Sequence, residues 1–264
     1  MEGLEQLEVV KVERDGGVVT VVLSRPKALN AINAQMLHEL DHVFKILSED
    51  SSIACVLITG DGDRAFAAGA DIAAMSEYGA EQAQSFAEEG HRIFKQIEDF
   101  PAPVLGVING FALGGGCELA LACDVLYASE KAKMGQPEVT LGLMPGFGGT
   151  VRLPRKIGLA AASEWIYTGN VYSAQAAKDV GLVHAIFPPD ELLNEVMKIA
   201  KVIESRGGAA VRACKESMVT GLDTDLASAC TDEQVAFGKL FNTDDMREGI
   251  DAFLQKRQPA FTGK

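Results

Sequence analysis

A glycine-rich stretch from Asn109 to Thr150 constrains this chain more strongly than any other segment. It holds nine of the 27 glycines in less than a sixth of the 264 residues. Glycine loses more conformational freedom on folding than any other residue, and it adopts positive φ angles without a steric penalty. Such a density is therefore expected where the backbone must turn sharply or approach another group closely.

Two glutamates lie within this stretch, and both have apolar neighbours. Glu118 interrupts an apolar run from Cys117 to Cys123, and Glu138 directly follows a proline. Burial and mutual repulsion drive the pKa values of two such carboxyls apart, which allows one to act as a general acid and the other as a general base. A hydrogen-bonded Glu118 near a helix start and a solvated Glu138 on a turn would give the same pattern. The residues alone leave both interpretations open.

The composition fits a globular chain with a sizeable core. With 264 residues, of which 47% are hydrophobic, the chain is long enough for one large domain or two small ones. No run approaches the roughly 18 uninterrupted apolar residues of a transmembrane helix. The acidic, alternating N-terminus is unlike a targeting peptide. We therefore expect a cytoplasmic protein, or one already stripped of its targeting segment, without a membrane partner.

Charge and cysteine content argue against several classes of partner and compartment. The formal net charge of −13 disfavours binding to nucleic acid or to an anionic membrane. The five cysteines show no CxxC spacing, and they are typical of small buried hydrophobic residues in a reducing compartment. They occupy positions 55, 117, 123, 214 and 230.

The periodicity predicts a mixed α/β chain whose last third is almost entirely helical. Predicted strands occupy residues 6–14, 17–24, 53–59, 104–108, 124–129, 132–135 and 182–187. Predicted helices occupy residues 33–48, 80–99, 115–122, 148–157, 159–168 and 173–180, and most of the chain after Pro189. The segment 66–72 is predicted to be a loop. We predict one domain with an α/β core over residues 1–190 and a helical C-terminal extension over residues 191–264.

Five segments together resemble the signature of the crotonase (enoyl-CoA hydratase/isomerase) superfamily. They occur in the family's order and spacing, extend over essentially the whole chain, and are most similar to those of short-chain enoyl-CoA hydratases. The segments are SRPKALNAI at 24–32, AFAAGADI at 65–72, NGFALGGGCELALACD at 109–124, GQPEVTLGLMPGFGGTVRL at 135–153 and GLVHAI at 181–186.

The resemblance implies a fold and an assembly that the periodicity alone does not specify. The fold is a crotonase-like spiral of β-β-α turns. The helical extension is expected to pack on the core and on neighbouring subunits as a trimerisation region, and two trimers are expected to form a homohexamer.

The activity implied by the resemblance is the reversible syn hydration of a short-chain trans-2-enoyl-CoA, with crotonyl-CoA as the first expectation. Glu118 and Glu138 match the family's two catalytic glutamates, which hold and orient the attacking water. The amides of Ala70 and Gly115 match its oxyanion hole. Gly115 also begins a predicted helix, where unpaired N–H groups favour negative charge. Glu138 is expected to protonate the α-carbon, although the division of roles between two coupled carboxyls stays open.

The CoA site is expected at two loops, residues 25–29 and 68–73. No separate cofactor and no metal are implied, because CoA is part of the substrate. Ala73 stands where related hydratases often carry a lysine, so one phosphate contact is missing or is supplied from elsewhere. The expected contacts are Lys27, Leu29, Ala68, Asp71, Ile72 and Ala73 in the loops, and Phe253 and Lys256 near the C-terminus.

Three alternatives compete with the hydratase. A double-bond isomerase, or another CoA-thioester reaction, would use the same scaffold, although isomerases of the family commonly keep only the equivalent of Glu138. A non-catalytic binding protein is compatible with the same fold, because fold does not determine function. A zinc hydrolase would use His38 and His42, which form an HExxH pattern with Glu39 on a predicted helix. Both histidines lie opposite the apolar stripe of that helix, and no third ligand is evident.

Overall fold

The computed structural model of the chain describes residues 3–263. Within that range ten strands form two sheets, and helices pack around them. The strands are β1 (Val10–Asp15), β2 (Val18–Leu23), β3 (Cys55–Gly60), β4 (Ala65–Ala67), β5 (Val104–Ile108), β6 (Phe111–Leu113), β7 (Val125–Ser129), β8 (Lys133–Gly135), β9 (Val171–Ser173) and β10 (Ala185–Phe187).

The α-helices are concentrated in the second half of the chain. Two short 3-10 turns, Pro26–Ala28 and Pro137–Leu141, lie between the larger elements. The helices are α1 (Ala34–Ser48), α2 (Ile72–Met75), α3 (Ala80–Glu98), α4 (Gly115–Leu121), α5 (Gly149–Ile157), α6 (Leu159–Thr168), α7 (Ala174–Asp179), α8 (Leu192–Glu204), α9 (Gly208–Gly221), α10 (Leu226–Leu240) and α11 (Asp244–Gln255).

From β3 to β8, successive strands alternate between the two sheets, so this part of the chain advances as a spiral. The large sheet has the order β1-β2-β3-β5-β7-β10, and the small sheet has the order β4-β6-β8-β9. β3, β5 and β7 are parallel neighbours in the large sheet. β4, β6 and β8, which follow them along the chain, are parallel neighbours in the small sheet. Each strand pair leads on to a helix, namely α3, α4 or α5. The expected spiral of β-β-α turns is confirmed.

Helix α1 shows how the sequence pattern leads to burial. The Asn33 side chain accepts a hydrogen bond from the N–H of Met36 at 3.0 Å, which satisfies one of the unpaired donors of the first turn. Met36, Leu40 and Val43 are fully buried, and Leu47 is nearly so. This burial is what apolar residues spaced by three and four positions predict. The expected helix, its cap and its buried face are confirmed.

Both faces of the large sheet are covered by apolar residues. Because side chains alternate along a strand, Val56 and Ile58 of β3 face one cluster, whereas Cys55 and Leu57 face the other. The first cluster contains residues of α1, α3 and α4, and the second contains residues of α8. Coverage on both faces is the usual condition of a parallel sheet.

A buried lysine ties helix α9 to the core. Lys215 is 6% exposed, and its ammonium donates to the Asp124 carboxylate at 2.7 Å and to the Ala102 carbonyl at 3.1 Å. Asp124 also accepts the N–H of Val104 at 2.7 Å, which joins this ion pair to the start of β5.

The predicted division of the chain at residue 190 stays a prediction.

Two expectations about local structure are wrong. Residues 65–67 form the short strand β4, which pairs in parallel with β6, whereas the sequence predicted a loop from residue 66. Cys214 and Cys230 are exposed, while the other three cysteines are buried as expected. Across residues 3–263, no helix combines the length and the hydropathy needed to cross a membrane.

Candidate active site

Within the glycine-rich stretch, Gly114 forms the turn that leads from β6 into α4. Gly114 has a φ of 49° and a ψ of −125°. This backbone conformation would be strained for a residue with a side chain. Gly116 lies so close to β4 that a Cβ atom would be 1.9 Å from the carbonyl oxygen of Ala67. Because that neighbour is backbone, only glycine fits there. The start of α4 is therefore held against the loop that follows β4.

Two backbone amides, those of Ala70 and Gly115, lie side by side in this contact. A Cβ atom on Gly115 would be 3.4 Å from the Ala70 nitrogen. The N–H of Ile32 donates to the carbonyl of Gly69, and the carbonyl of Ile32 accepts the N–H of Asp71, both at 2.8 Å. Throughout the described residues, neither the Ala70 N–H nor the Gly115 N–H donates a hydrogen bond. The pair therefore offers two donors to an anionic oxygen.

Glu118 projects from α4 into the protein interior. It is 2% exposed, and one carboxylate oxygen accepts the N–H groups of Phe147 and Gly149, each at 2.7 Å. Burial raises the pKa of Glu118 to about 6, although these N–H groups and the charge of Arg152 act in the opposite direction. The carboxyl is thus fixed in orientation and titrates near neutral pH, as general acid–base chemistry requires.

Glu138 reaches the same region from the 3-10 turn Pro137–Leu141. One of its carboxylate oxygens would lie 2.8 Å from a Cβ atom on Gly114, next to the amide pair. When its side-chain amide is oriented with the nitrogen toward Glu138, the fully buried Gln136 donates N–H groups to both carboxylate oxygens, at 3.0 and 3.2 Å. Burial raises the pKa of Glu138 to about 7, and the charge of Glu118 adds to the rise. The two glutamates therefore meet in space and interact electrostatically.

An aromatic cluster borders the amide pair. A Cβ atom on Gly115 would be 3.2 Å from the ring of Phe147. That ring packs edge-on against Phe86 and Phe94, with centroids 5.1 and 5.4 Å apart. A Cβ atom on Gly90 of α3 would be 2.3 Å from the same ring, so glycine is required there too. The apolar border lowers the local dielectric, which strengthens the interaction of the amides with an anion.

The two loops expected to bind CoA adjoin one another. The N–H of Ala68 donates to the carbonyl of Leu29 at 3.0 Å. Asp71 pairs with Arg25 at 3.0 Å and also caps α2, so its carboxylate already has partners. The side chains of Lys27 and Ile72 are exposed beside this junction.

The other expected CoA contacts differ in their placement. Ala73 is exposed on α2, next to the two loops, and its methyl group carries no charge. Phe253 is 82% exposed on α11, and Lys256 ends that helix with a left-handed φ of 55°. Within residues 3–263, no hydrogen bond or ion pair links α11 to either loop. The structure thus brings the loop residues together, and the placement of Phe253 and Lys256 at the CoA site stays a prediction.

Gln136 and Arg152 were not predicted from the sequence as residues of the site. Gln136 orients Glu138, and Arg152 donates to the Phe147 carbonyl at 3.0 Å behind Glu118. Both side chains are buried, but polar and charged residues are solvated by default, so a single sequence offers no reason to expect burial. The position of Gln136 two residues before Glu138 was the available signal.

The HExxH pattern on α1 serves a structural purpose. Glu39 is 3% exposed, and its carboxylate accepts the N–H groups of Val9 and Val10 at 2.9 and 2.8 Å. His38 and His42 are exposed on the other face of the helix. In the described part of the chain, no group of three His, Cys, Asp or Glu side chains is placed to share a metal ion. Glu39 therefore holds the start of β1.

We expect Glu39→Gln to lower the melting temperature while hydration is retained. The new amide NH₂ would face backbone N–H groups that now bind a carboxylate, which costs about 1–3 kcal/mol. Glu49→Gln, the same change at an exposed position after α1, is the matched control. Thermal unfolding of both variants tests this. An unchanged melting temperature for Glu39→Gln, together with lost turnover, would favour the zinc alternative.

Comparison with known proteins decides the family. The family model described as enoyl-CoA hydratase/isomerase matches residues 13–264. This chain belongs to the enoyl-CoA hydratase/isomerase family. The match includes both glutamates, both amides and the two adjoining loops, so the candidate site lies entirely within the family's own domain.

Similar members of the enoyl-CoA hydratase/isomerase family match this chain nearly from end to end. A crotonyl-CoA hydratase of Syntrophomonas wolfei subsp. wolfei is 44% identical over 257 residues, which cover 97% of this chain and 99% of that protein. A short-chain-enoyl-CoA hydratase of Clostridium acetobutylicum is 41% identical, with coverage of 96% and 97%. The crystal structure of an enoyl-CoA hydratase from Bacillus anthracis has a TM-score of 0.95 at 38% identity, with coverage of 97% and 100%.

Proposed function

We propose that this chain catalyses the reversible syn hydration of short-chain trans-2-enoyl-CoA, with crotonyl-CoA as substrate. The observation that carries this proposal is the proximity of two carboxyls, whose pKa values burial raises to about 6 and about 7, to two amides that donate no hydrogen bond within residues 3–263. The names of the two relatives, crotonyl-CoA hydratase and short-chain-enoyl-CoA hydratase, support the same substrate class.

The amides of Ala70 and Gly115 are proposed to bind the thioester oxygen. Attack of water at the β-carbon moves electron density through the double bond onto that oxygen, which becomes an enolate. Donors already aimed at the developing charge lower the barrier without having to reorganise. The start of α4 adds its dipole, which favours negative charge at this point.

Glu118 and Glu138 are proposed to carry out the two proton transfers of the reaction, one from water and one to the α-carbon. The water oxygen bonds to the β-carbon while an ionised Glu118 accepts one water proton. A protonated Glu138 delivers its proton to the α-carbon as the enolate collapses. One water molecule is consumed, and exchange with solvent restores the original protonation of the two carboxyls.

CoA is proposed to lie along the two adjoining loops. Lys27 and Leu29 would flank the nucleotide, while Ala68, Asp71 and Ile72 would line the path of the pantetheine. Ala73 offers no charge to a phosphate, so a different cation must serve that group. Phe253 and Lys256 stay predictions, because no hydrogen bond or ion pair of the described residues links α11 to either loop. No separate cofactor enters the proposal, since CoA is part of the substrate.

We also propose that the chain assembles as a homohexamer, a dimer of trimers, through its C-terminal helices. The support is a set of large apolar side chains that a single chain leaves exposed, and such surface usually marks a contact between subunits. Sedimentation velocity should detect a species of six 28.1 kDa chains. A cytoplasmic location stays a prediction. The exposed apolar residues include Leu226 and Phe237 of α10, Phe241 directly after it, and Phe253 and Leu254 of α11.

The decisive experiment follows the loss of enoyl-thioester absorbance when purified protein meets crotonyl-CoA, with and without a chelator. Fast, chelator-insensitive loss, with a product heavier by one water, supports the hydratase. A product of unchanged mass with a shifted double bond would indicate the isomerase. A chelator-sensitive rate would favour the zinc hydrolase, with His38 and His42 as metal ligands. Absence of turnover with crotonyl-CoA and longer enoyl-CoA thioesters would leave a binding protein.

The pH profile of kcat/KM is expected to be bell-shaped, with limbs near the pKa values of about 6 for Glu118 and about 7 for Glu138. Below the lower value Glu118 is protonated and cannot accept a proton from water. Above the higher value Glu138 has lost the proton that it must deliver. The limbs belong to the interacting pair rather than to either carboxyl alone. Initial rates across both limbs test this, and a flat profile would contradict it.

A further inference from the structure

Helix α5 carries an arginine whose side chain lies almost entirely inside the protein. Arg152 is 9% exposed, although arginine is rarely buried without a partner. One guanidinium nitrogen donates to the carbonyl of Phe147 at 3.0 Å. Two others face the Glu98 carboxylate of α3, at 3.1 and 3.4 Å. The guanidinium therefore joins three segments at once, which the single ammonium of a lysine would not do.

The loop that Arg152 holds is the loop that binds Glu118. Phe147 accepts a hydrogen bond from Arg152 through its carbonyl, while the N–H groups of Phe147 and Gly149 donate to Glu118. Gly148 lies between these donors with a φ of 105°. A Cβ atom on Gly148 would be 2.3 Å from the guanidinium. The loop is thus bound by the guanidinium on one side and by the carboxylate on the other.

Arg152 also acts on Glu118 through its charge. Burial raises the pKa of Glu118, and the positive charge of Arg152 opposes that rise. Removing the charge should therefore raise the pKa further. The other titratable groups that face this carboxyl, or the loop that binds it, are Glu138 on the 3-10 turn, Cys117 on α4, and His91 and Glu98 on α3.

We propose that Arg152 is a positioning residue for hydration, which fixes loop 147–149 so that Glu118 keeps the orientation and the charge required to activate water. Arg152 itself contacts no reacting atom in this scheme. This inference rests on the proposed function, because it assigns a role within that reaction.

The test compares Arg152→Gln, Arg152→Lys and Arg155→Gln in the crotonyl-CoA assay, with thermal melts to establish folding. A small displacement of a reacting group costs about 10²-fold in rate, so Arg152→Gln should lower kcat by about that factor with KM nearly unchanged. Its acid limb should move to higher pH. Arg152→Lys keeps the charge, so the acid limb of its pH profile should stay in place. Its kcat should lie between that of Arg152→Gln and that of the wild type. Arg155 is exposed, and its partner among the described residues is the exposed Asp223 at 3.3 Å, so Arg155→Gln should match the wild type.

Each outcome decides the inference. A folded Arg152→Gln variant with wild-type kcat, or with reduced kcat and an unmoved acid limb, would show that the arginine only packs. If Arg152→Gln does not fold, Arg152→Lys decides, and a wild-type kcat or a displaced limb in that variant would overturn the proposal. A wild-type protein without turnover would overturn the proposed function as well, whereas an active wild type confines the failure to Arg152.

Discussion

Glu138→Gln is expected to lower kcat for crotonyl-CoA hydration by about 10²–10⁴, and Glu118→Gln should have an effect of the same size. Glutamine has nearly the shape of glutamate, but it neither delivers nor accepts a proton at the pH of the reaction. The glutamine oxygen at position 118 would still accept the N–H groups of Phe147 and Gly149, so the fold should persist. The loss should therefore appear in kcat rather than in stability.

Initial rates from enoyl-thioester absorbance and thermal melts of the same preparations test this expectation. Glu130→Gln is the matched control, because Glu130 is exposed in the turn between β7 and β8. The double variant of Glu118 and Glu138 should be little slower than the slower single variant, since residues that act as a unit have non-additive effects. A folded single variant with nearly wild-type turnover would remove that glutamate from the mechanism.

The long elements of this fold were predictable because their pattern repeats over several turns or residues. Helix α1 has a cap at Asn33 and four apolar residues at helical spacing, and all four are buried. Strands β3 and β5 are continuous apolar runs, and both are covered on two faces. In each case the local pattern and the tertiary burial agree, so the prediction needed no knowledge of neighbouring segments.

Three of the five three-residue strands were not predicted, whereas β8 and β10 lie within the predicted strands 132–135 and 182–187. β4, β6 and β9 have three residues each, which is too short for alternation to show. They form because the spiral places their backbone groups beside a neighbouring strand of the small sheet, as β4 is placed beside β6. The information that creates them lies in the packing of the turns rather than in the three residues themselves.

The candidate site divides along the same line. Glu118 and Glu138 could be singled out from the sequence because carboxylates in apolar surroundings are unusual. Gln136 and Arg152, which orient them, could not, because each resembles an ordinary polar residue until the loops of α5 and the 3-10 turn close around it. The CoA loops adjoin as expected, whereas no hydrogen bond or ion pair of the described residues links α11 to them.

Gly115→Pro is expected to lower kcat by about 10²–10³, the usual effect of losing one oxyanion donor. Gly115 is the first residue of α4, where proline is well tolerated because that N–H has no acceptor in the helix. The substitution therefore removes the proposed donor with little cost to the helix. The proline ring also brings a Cβ atom to within 3.2 Å of the Phe147 ring, so a steric effect must be separated from the loss of the N–H.

Gly115→Ala makes that separation, because it adds the same Cβ atom and keeps the N–H. Its Cβ would also lie 3.4 Å from the Ala70 nitrogen, which is ordinary contact distance. If the N–H stabilises the enolate, the alanine variant should retain most of the rate, and the ratio of its kcat to that of the proline variant measures the replacement of the N–H by the proline Cδ. Equal losses in two folded variants would mean that the space around Gly115, rather than its N–H, is what the reaction requires. Near wild-type turnover in Gly115→Pro would remove Gly115 from the oxyanion hole altogether, since proline has no N–H to donate.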